Sequence, residues 1–370
     1  MAKKRLGILF GGKSVEHEVS LQSARNVFEA IDPQKFDVVL IGIDKAGQWQ
    51  VRDTALLKAA TGPTAELETG DSKQSLALVP GATGGALQQS GAPSALPALD
   101  VVIPLLHGTY GEDGTVQGLL KLANVPFVGA GVLGSAVGMD KDVAKRLLRD
   151  AGIPVARFVT LTRTGAEQTD FSKLAAEFGA PFFVKPANSG SSVGVSKVAN
   201  AAEWSAALTE ALRYDRKVLV EEYIRGREIE VAVLGNEKPE ASVAGEIVPQ
   251  HEFYSYEAKY LDENGALLRI PADLPAATAT LVRELAVKTF LALECAGMAR
   301  VDFFVTPDGR AYVNEINTIP GFTKVSMYPK LWEATGVSYK DLIEKLVALA
   351  IERHAAETGL ETSYRPRLQG

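Results

Sequence analysis

The stretch that decides the fold of the second half of the chain is Met298-Ala-Arg-Val-Asp-Phe-Phe-Val-Thr-Pro-Asp-Gly-Arg-Ala-Tyr-Val-Asn-Glu-Ile-Asn317. Its centre, Pro307-Asp-Gly-Arg310, is typical of a tight turn, and the runs on both sides are rich in β-branched and aromatic residues. The stretch therefore predicts a β-hairpin. Because side chains alternate between the two faces of a strand, Arg300 and Asp302 are expected to share one face.

The register of this hairpin decides which polar side chains meet. If the turn closes symmetrically around Asp308-Gly309, Asp302 lies directly opposite Glu315, and Arg300 lies directly opposite Asn317. A three-residue bulged loop would break this pairing, so the prediction depends on the length of the turn.

Two opposed carboxylates on one face allow two interpretations. Like charges directly opposite each other destabilise a strand pair, whereas carboxylate and amide oxygens are the ligands that Mg²⁺ prefers. The other interpretation is a solvated edge hairpin whose charges contribute to solubility. The spacing alone does not decide between a metal site and a solvated face.

The bulk composition excludes several classes of protein. A chain of 370 residues is too long for one core, so two or three domains are expected. The net charge of −6 argues against a nucleic-acid partner. The single cysteine, Cys295, excludes an internal disulfide, fits a reducing compartment and is predicted to be a buried structural thiol. Neither a targeting segment nor a membrane-spanning run is recognised, which predicts a cytoplasmic protein without a membrane partner.

The residues from 1 to 129 alternate buried-strand patterns with amphipathic helical patterns. This alternation predicts an α/β fold with a doubly wound, mostly parallel sheet. Ser20 is predicted to cap the first helix. The segment 59–97 is rich in Ala, Gly, Ser, Pro and Thr, and it is predicted to be a peripheral insertion with a short strand or hairpin.

The rest of the chain is predicted to form two smaller α+β units. In residues 130–221, four strand patterns surround a helix that starts near Ala201. In residues 222–370, two further strands and a long helix precede the hairpin, and a final helix follows it. Three domains are therefore expected.

Two segments of the central unit are candidates for nucleotide binding. Lys185 ends an apolar strand and precedes a loop of small residues, which can cradle phosphates or can be a flexible hairpin tip. A later strand ends in Glu221-Glu222-Tyr223-Ile224, whose acceptors and ring could hold adenine and ribose or could be solvated. Glu228, at the start of the next strand, has the same ambiguity.

Two polar loops follow strands of the first domain, at the edge where ligands collect in open α/β sheets. Glu16 lies in the loop after the first strand and could hold a substrate ammonium group, although a surface turn would look the same. His107 begins a loop at the end of a later strand. Four histidines in the chain argue against a His-rich zinc site, so His107 is expected to be a polar substrate contact.

Taken together and in this order, the motifs resemble those of the D-alanine–D-alanine ligases, a family of the ATP-grasp superfamily. The resemblance covers nearly the whole chain outside the segment 59–97, and it implies a three-domain ATP-grasp fold. Six motifs carry it: Gly11-Gly-Lys-Ser-Val-Glu-His-Glu-Val-Ser20, His107-Gly-Thr-Tyr-Gly-Glu-Asp-Gly114, Met139-Asp-Lys141, Gly190-Ser-Ser-Val-Gly194, Tyr254-Ser-Tyr-Glu-Ala-Lys-Tyr260 and Asn314-Glu-Ile-Asn-Thr-Ile-Pro-Gly-Phe-Thr323.

The resemblance implies a role for each matching position on the nucleotide side. The groups expected to contact or cover the ATP phosphates are Lys141, Lys185, Lys259, Ser191 and Ser192. Those expected to hold adenine and ribose are Glu221, Glu222, Tyr223, Ile224 and Glu228. Two Mg²⁺ ions, with Mn²⁺ as a substitute, are expected to bind Asp302, Glu315 and Asn317.

On the amino-acid side, the resemblance implies that Glu16 orients the first D-alanine, with His107 nearby. Glu16, Ser191 and Tyr260 match a hydrogen-bonded set that locks a lid, at about 250–262, over the site. The remaining groups expected to touch the reacting carbonyl or the second D-alanine are Arg300, Gly321, Ser326 and Met327.

The implied reaction joins two D-alanines through a D-alanyl phosphate, releases ADP and phosphate, and supplies a peptidoglycan precursor. The resemblance also implies a homodimer. Tyr260 ends a pattern that favours an amine over D-lactate as second substrate. The alternatives are another ATP-grasp carboxylate–amine ligase, a D-lactate-using variant, and a non-catalytic nucleotide-binding regulator.

Overall fold

The computed structural model of the chain describes residues 2–54, 57, 76–78, 87–89, 98–249, 266–361 and 363. The strands within these residues are β1 (Lys4–Gly11), β2 (Phe36–Ile43), β3 (Trp49–Arg52), β4 (Leu76–Leu78), β5 (Leu87–Gln89), β6 (Val101–Leu105), β7 (Phe158–Thr162), β8 (Phe182–Pro186), β9 (Ser196–Val198), β10 (Lys217–Glu222), β11 (Arg227–Gly235), β12 (Glu240–Pro249), β13 (Ala266–Arg269), β14 (Gly297–Val305) and β15 (Ala311–Asn317).

The helices of the same residues are α1 (His17–Ala30), α2 (Thr115–Leu122), α3 (Val132–Met139), α4 (Lys141–Asp150), α5 (Arg163–Glu167), α6 (Phe171–Phe178), α7 (Ala201–Tyr214), α8 (Ala276–Ala292), α9 (Met327–Ala334) and α10 (Tyr339–Thr358). In the described part of the chain, none of them is both long and apolar enough to cross a bilayer. The helix α3 and the short helix α9 were not anticipated from the sequence.

The first sheet has the order β3-β2-β1-β6, with β1 parallel to both of its neighbours and β3 antiparallel to β2. This mostly parallel arrangement confirms the predicted α/β fold. The short hairpin of β4 and β5 confirms that the segment 59–97 contains a small strand pair.

The predicted cap at Ser20 is wrong, because α1 begins at His17 and contains Ser20 as a buried residue. The Ser20 hydroxyl accepts a hydrogen bond from the Gly11 N–H at 2.7 Å and donates one to the Leu105 carbonyl. Ser20 therefore links the ends of β1 and β6. Its hydroxyl forms hydrogen bonds with backbone groups of the sheet and not with the N–H groups at the start of the helix.

Two antiparallel sheets follow, as the α+β patterns predict. The central sheet has the order β7-β10-β8-β9, and α7 packs on it through Trp204 and Leu208. The third sheet has the order β13-β12-β11-β14-β15. The helix α8 covers one of its faces, and Cys295 is buried there as predicted.

The hairpin of β14 and β15 has the predicted pairs, although its turn differs from the prediction. Asp302 pairs with Glu315, but the Thr306 N–H donates to the Arg310 carbonyl at 2.9 Å, which makes the turn symmetric about Asp308. The symmetric closure around Asp308-Gly309 is therefore wrong. The pairing survives because Asn314 is an extra residue in a β-bulge, which restores the register beyond it.

The bulge also interrupts the usual alternation of side chains between the two faces of β15. Val313 and Ile316 are both buried in the core, at 0% and 5% exposure, although two residues separate them. The two residues between them, Asn314 and Glu315, consequently both leave the core. Without the bulge, only one of these two polar side chains could face away from the core.

The helix α10, near the end of the described chain, packs against the sheet formed at its start. Its Leu346 and Ala350 pack in one core cluster with Leu6 of the first sheet. Farther along the helix, the Arg353 guanidinium lies 4.5 Å from the ring centroid of Phe127 and donates to its carbonyl at 2.9 Å. The first and third sheets thus share a core.

The helix α3 approaches the loop before β14 closely enough to exclude a side chain. A Cβ on Gly134 would lie 2.4 Å from the Glu294 carbonyl oxygen, whereas a Cβ on Gly118 in α2 would meet nothing within 4 Å.

We expect Gly134→Ala to lower the free energy of unfolding by about 1–3 kcal/mol. Gly118→Ala, the matched control, should raise it by about 0.5–1 kcal/mol. Urea unfolding of both variants measures this, and equal shifts would contradict the close approach.

Candidate functional site

Three carboxylates lie in a row across the third sheet. Glu230 of β11 pairs with Asp302 of β14, which pairs with Glu315 of β15. Two cationic side chains lie between them. The Arg300 guanidinium donates to both oxygens of Asp302 at 2.7 Å and lies 2.9 Å from Glu230, while the Lys141 ammonium lies 3.2 Å from Glu315. Cations thus already balance the opposed charges of the hairpin.

The oxygen atoms of the hairpin suit a hard cation. Asn317 lies beside Asp302, to which its amide nitrogen donates at 3.0 Å. Among the described residues, no group of three or more His, Cys, Asp or Glu side chains forms a metal site by itself. A metal at Asp302, Glu315 and Asn317 would therefore need further oxygen ligands, such as those that a bound phosphate supplies.

A second charged cluster lies on the central sheet, beside the hairpin. Glu221 of β10 is buried and lies 3.0 Å from the Lys145 ammonium and 3.1 Å from that of Lys185. The Lys185 ammonium also donates to the amide oxygen of Asn314 at 3.2 Å. The bulged residue of the hairpin therefore joins the two clusters.

The charges of this cluster depend on one another. Burial lowers the pKa of Lys145 to about 8, although the Glu221 carboxylate opposes this shift. Burial alone would raise the pKa of Glu221, but the two ammonium groups outweigh it and keep this pKa below its ordinary value. Sequence reasoning missed Lys145; its only signal was its position four residues after Lys141 on an amphipathic helix.

The small-residue loop after β8 lies against the loop after β1. Ser191 donates a short hydrogen bond to Glu16, and a Cβ on Gly190 would lie 3.1 Å from a Glu16 oxygen. Ser191 and Ser192 have φ of 51° and 60°, a left-handed conformation that non-glycine residues rarely adopt and that clusters at functional sites. The Lys141 ammonium donates to the Ser189 carbonyl at 2.7 Å, so this loop also reaches the hairpin cluster.

The end of β10 divides its side chains between two environments. Glu221 faces the lysines, whereas Glu222 accepts from the Arg157 N–H at 2.8 Å and from its guanidinium at 2.6 Å. Tyr223 is 42% exposed, and its ring centroid lies 5.8 Å from that of Phe183. Ile224 and Glu228 are half-buried beyond it. The exposed ring offers a flat apolar surface next to the buried charges.

His107 and the loop after β15 are tied together. The His107 Nδ1 lies 3.0 Å from the Ile319 carbonyl, and its Nε2 lies 3.1 Å from the Ser23 hydroxyl. Burial lowers the pKa of His107, which favours a neutral ring. Both ring nitrogens have protein partners, so the geometry favours a role of His107 in holding the loop after β15. It does not favour a direct contact of the ring with the substrate.

Gly321 and Ser326 lie close together in the same loop. A Cβ on Gly321 would lie 2.9 Å from the Ser326 hydroxyl, which accepts from the Thr323 N–H at 3.0 Å. Ser326 directly precedes α9, and Met327, the first residue of that helix, is buried in the core with Tyr328. Met327 therefore contributes apolar packing under the loop.

Glu112 is a functional candidate that sequence reasoning missed. Its two carboxylate oxygens accept from the Gly108 N–H at 2.8 Å and from the Ile319 N–H at 2.9 Å. Because the His107 ring bonds the Ile319 carbonyl, both the N–H and the carbonyl of Ile319 have side-chain partners. Burial, together with the charge of Glu16, raises the pKa of Glu112 to about 8.

This raised pKa predicts a dependence of stability on pH. Between the ordinary carboxyl value of 4.5 and about 8, folded Glu112 retains a proton that the unfolded chain has lost. The contribution of Glu112 to stability therefore falls as pH rises through this window. We expect Glu112→Gln to reduce the fall of the urea midpoint between pH 5 and 8. An unchanged slope would contradict the assignment.

The predicted lid at 250–262, with Lys259 and Tyr260, lies outside the described residues. The described site combines buried lysines on a small antiparallel sheet with a hairpin of carboxylates on the next one. Such a fold and site define the ATP-grasp class of ligases.

Comparison with known families assigns the chain within this class. Residues 5–130 match the family model described as "D-ala D-ala ligase N-terminus", and residues 147–348 match that described as "D-ala D-ala ligase C-terminus". The chain therefore belongs to the D-alanine–D-alanine ligase family.

Individual relatives agree with this assignment. The chain is 56% identical over 367 residues to a D-alanine–D-alanine ligase of Shouchella clausii, covering 99% of this chain and 100% of the relative. The solved D-alanine–D-alanine ligase of Coxiella burnetii superposes with a TM-score of 0.84 at 39% identity, with 97% of each chain covered. The solved VanG D-Ala:D-Ser ligase of Enterococcus faecalis gives a TM-score of 0.82 at 36% identity, covering 94% of this chain and 100% of the other.

Proposed function

We propose that the protein joins two D-alanine molecules to D-alanyl-D-alanine with ATP, and that this dipeptide serves peptidoglycan precursor synthesis. The observation that carries the proposal is the meeting of Lys141 with Glu315 and of Lys185 with Asn314, at 3.2 Å in both cases. These contacts bring two cationic groups that suit phosphates beside oxygen ligands that suit a metal. The names of the relatives supply the substrate.

The nucleotide would lie between the central and third sheets. Lys141 and Lys185 would neutralise its phosphates, with Lys259 from the proposed lid, and the loop of Ser191 and Ser192 would cover them. The groups proposed for the adenosine side are Glu221, Glu222, Tyr223, Ile224 and Glu228. Because Arg157 holds Glu222, that residue would act through its backbone, while the exposed ring of Tyr223 would cover the base.

The residues Asp302, Glu315 and Asn317 of the hairpin would hold two Mg²⁺ ions, with Mn²⁺ as a substitute. When bound, these ions neutralise phosphate charge and orient the transferred group. The oxygen-only donor set supports this choice over a softer metal. Lys141, which balances Glu315 in the described structure, would then be released toward the phosphates, while Arg300 would face the reacting carbonyl.

In the proposed reaction, the carboxylate of the first D-alanine attacks the γ-phosphorus, and the bond to ADP breaks. The amine of the second D-alanine then attacks the acyl carbon of the D-alanyl phosphate, phosphate leaves, and the amine loses a proton. Glu16 would hold the first ammonium group, with Tyr260 closing the lid. Arg300 and the Gly321 N–H would stabilise the oxyanion, and Ser326 would hold the second carboxylate.

The choice of second substrate is tested by product analysis. One structural relative is named as a D-Ala:D-Ser ligase, so D-serine is the competing acceptor and D-lactate a further one. We expect the purified protein with MgATP to release phosphate and form D-alanyl-D-alanine from D-alanine, identified by mass. Absence of this dipeptide from folded protein would overturn the proposal, and a preference for D-serine in mixtures would redirect it.

The proposal extends to the organisation of the protein. Residues 1–129 would bind the substrate, and residues 130–221 and 222–370 would close on the nucleotide, with a lid at about 250–262. A homodimer in the cytoplasm is the proposed state. Size-exclusion chromatography with light scattering tests the dimer.

A further inference from the structure

Glu230 is a buried carboxylate with no role in the reaction proposed above. It is 5% exposed and lies in the middle of β11, between Ile229 and Val231, which are both fully buried. Burying a carboxylate is costly unless a cation compensates it. One compensating cation is Arg300, whose Nε lies 2.9 Å from a Glu230 oxygen.

Arg300 is shared between two carboxylates. Its Nε and Nη2 also donate to the two oxygens of Asp302, at 2.7 Å each, while its side chain is only 19% exposed. Burial opposes the charge of Arg300, but Asp302 and Glu230 outweigh it and keep its pKa well above the ordinary value. The Nε atom thus lies 2.7 Å from Asp302 and 2.9 Å from Glu230, so the two carboxylates share it.

A metal ion bound at the proposed site would compete with Arg300 for the carboxylate of Asp302. A divalent cation at Asp302 and a guanidinium on both of its oxygens repel each other, so each weakens the binding of the other. If Asp302 were the only partner of Arg300, metal binding would leave a largely buried cation uncompensated. Glu230, paired with Asp302 on the next strand, removes this conflict.

We propose that Glu230 is a positioning residue that holds the Arg300 guanidinium while Asp302 binds the metal. Asp302 is thereby released at low cost, and Arg300 stays directed at the reacting carbonyl. This inference rests on the metal site of the proposed function. It differs from a purely structural ion pair, which would affect folding but would leave the metal affinity of the folded protein unchanged.

The third sheet offers a matched control for this distinction. Glu246 of β12 is also 5% exposed and forms a bidentate ion pair, with the Arg227 guanidinium at 2.7 and 2.8 Å. None of its described partners belongs to the hairpin. Glu230→Gln and Glu246→Gln therefore each remove one buried carboxylate of an Arg–Glu pair from the same sheet.

The test measures Mn²⁺ binding by electron paramagnetic resonance, with the full-length protein and saturating ADP. We expect Glu230→Gln to raise the Kd for Mn²⁺ about tenfold and Glu246→Gln to leave it unchanged. Equal Mn²⁺ affinity of the wild type and Glu230→Gln, or equal weakening in Glu230→Gln and Glu246→Gln, would overturn this inference but not the proposed metal site. Failure of the wild type to bind Mn²⁺ would overturn the metal site and this inference with it.

A second variant keeps the test decisive if Glu230→Gln does not fold. Glu230→Gln combined with Arg300→Gln removes both charges of the pair and leaves no guanidinium to compete for Asp302. We expect this double variant to bind Mn²⁺ at least as tightly as the wild type. Weaker binding would show that Glu230 does not act through Arg300.

Discussion

Replacing Glu315 with Gln is expected to lower kcat by at least about 10³-fold while the protein stays folded. Glu315 lies opposite Asp302, and the Lys141 ammonium lies 3.2 Å from it. The amide of glutamine keeps the shape of the side chain but lacks the charge that holds a divalent cation. Because the strand is anchored by Val313 and Ile316, the loss should not spread to the fold.

The comparison variant for this prediction is Glu246→Gln, which removes a carboxylate from the same sheet. We expect its kcat to stay within about twofold of the wild type, since Glu246 pairs with arginines outside the hairpin. Phosphate release gives the rates, and circular dichroism with thermal unfolding checks the fold. Near-normal turnover of Glu315→Gln would show that the metal assignment is wrong.

The second large effect concerns stability. We expect Glu221→Gln to lower the free energy of unfolding by about 3–5 kcal/mol, because two buried ammonium groups would lose the carboxylate they share. Lys145 and Lys185 lie 3.0 and 3.1 Å from it, and both are at least nine-tenths buried. Urea unfolding at pH 7 measures the loss. Combining the variant with Lys145→Met should recover part of it, since one uncompensated charge is then removed.

The same variant should change how stability depends on pH. The pKa of folded Lys145, about 8, lies below the ordinary 10.5, so the unfolded chain binds more protons between these values. The contribution of Lys145 to stability therefore rises with pH in this window. Removing Glu221 lowers this pKa further, so the rise should begin at lower pH. Between pH 7 and 9, the urea midpoint of Glu221→Gln should therefore rise relative to that of the wild type, and a difference that falls over this range would contradict the prediction.

The hairpin shows how far sequence reasoning reaches. Alternation along β14 predicted which side chains share a face, and an assumed symmetric turn placed Asp302 opposite Glu315, a pair that the structure confirms. The turn was wrong by one residue, and the bulge at Asn314 cancelled that error. Nothing in the local sequence marks this bulge, because its cause is the packing of both Val313 and Ile316 into one core.

The missed residues share a physical reason. Lys145, Glu112 and Glu230 are charged side chains whose partners are distant in sequence; Glu112 and the Ile319 N–H, for example, are 207 residues apart. Composition and periodicity describe a charged residue as solvent-facing unless its partner is known. The motif loops were easier to predict, since parallel strands bring their carboxyl ends to one edge of a sheet.

The attachment of α10 to the first sheet has a consequence for synthesis on the ribosome. The residues of β1 and β6 are made roughly 10–70 s before those of α10, at typical rates of elongation. During that interval Leu6 and its neighbours lack the apolar partners that Leu346 and Ala350 later supply. The nascent chain therefore presents an incomplete core, which suits chaperone binding, until α10 emerges and Arg353 contacts Phe127.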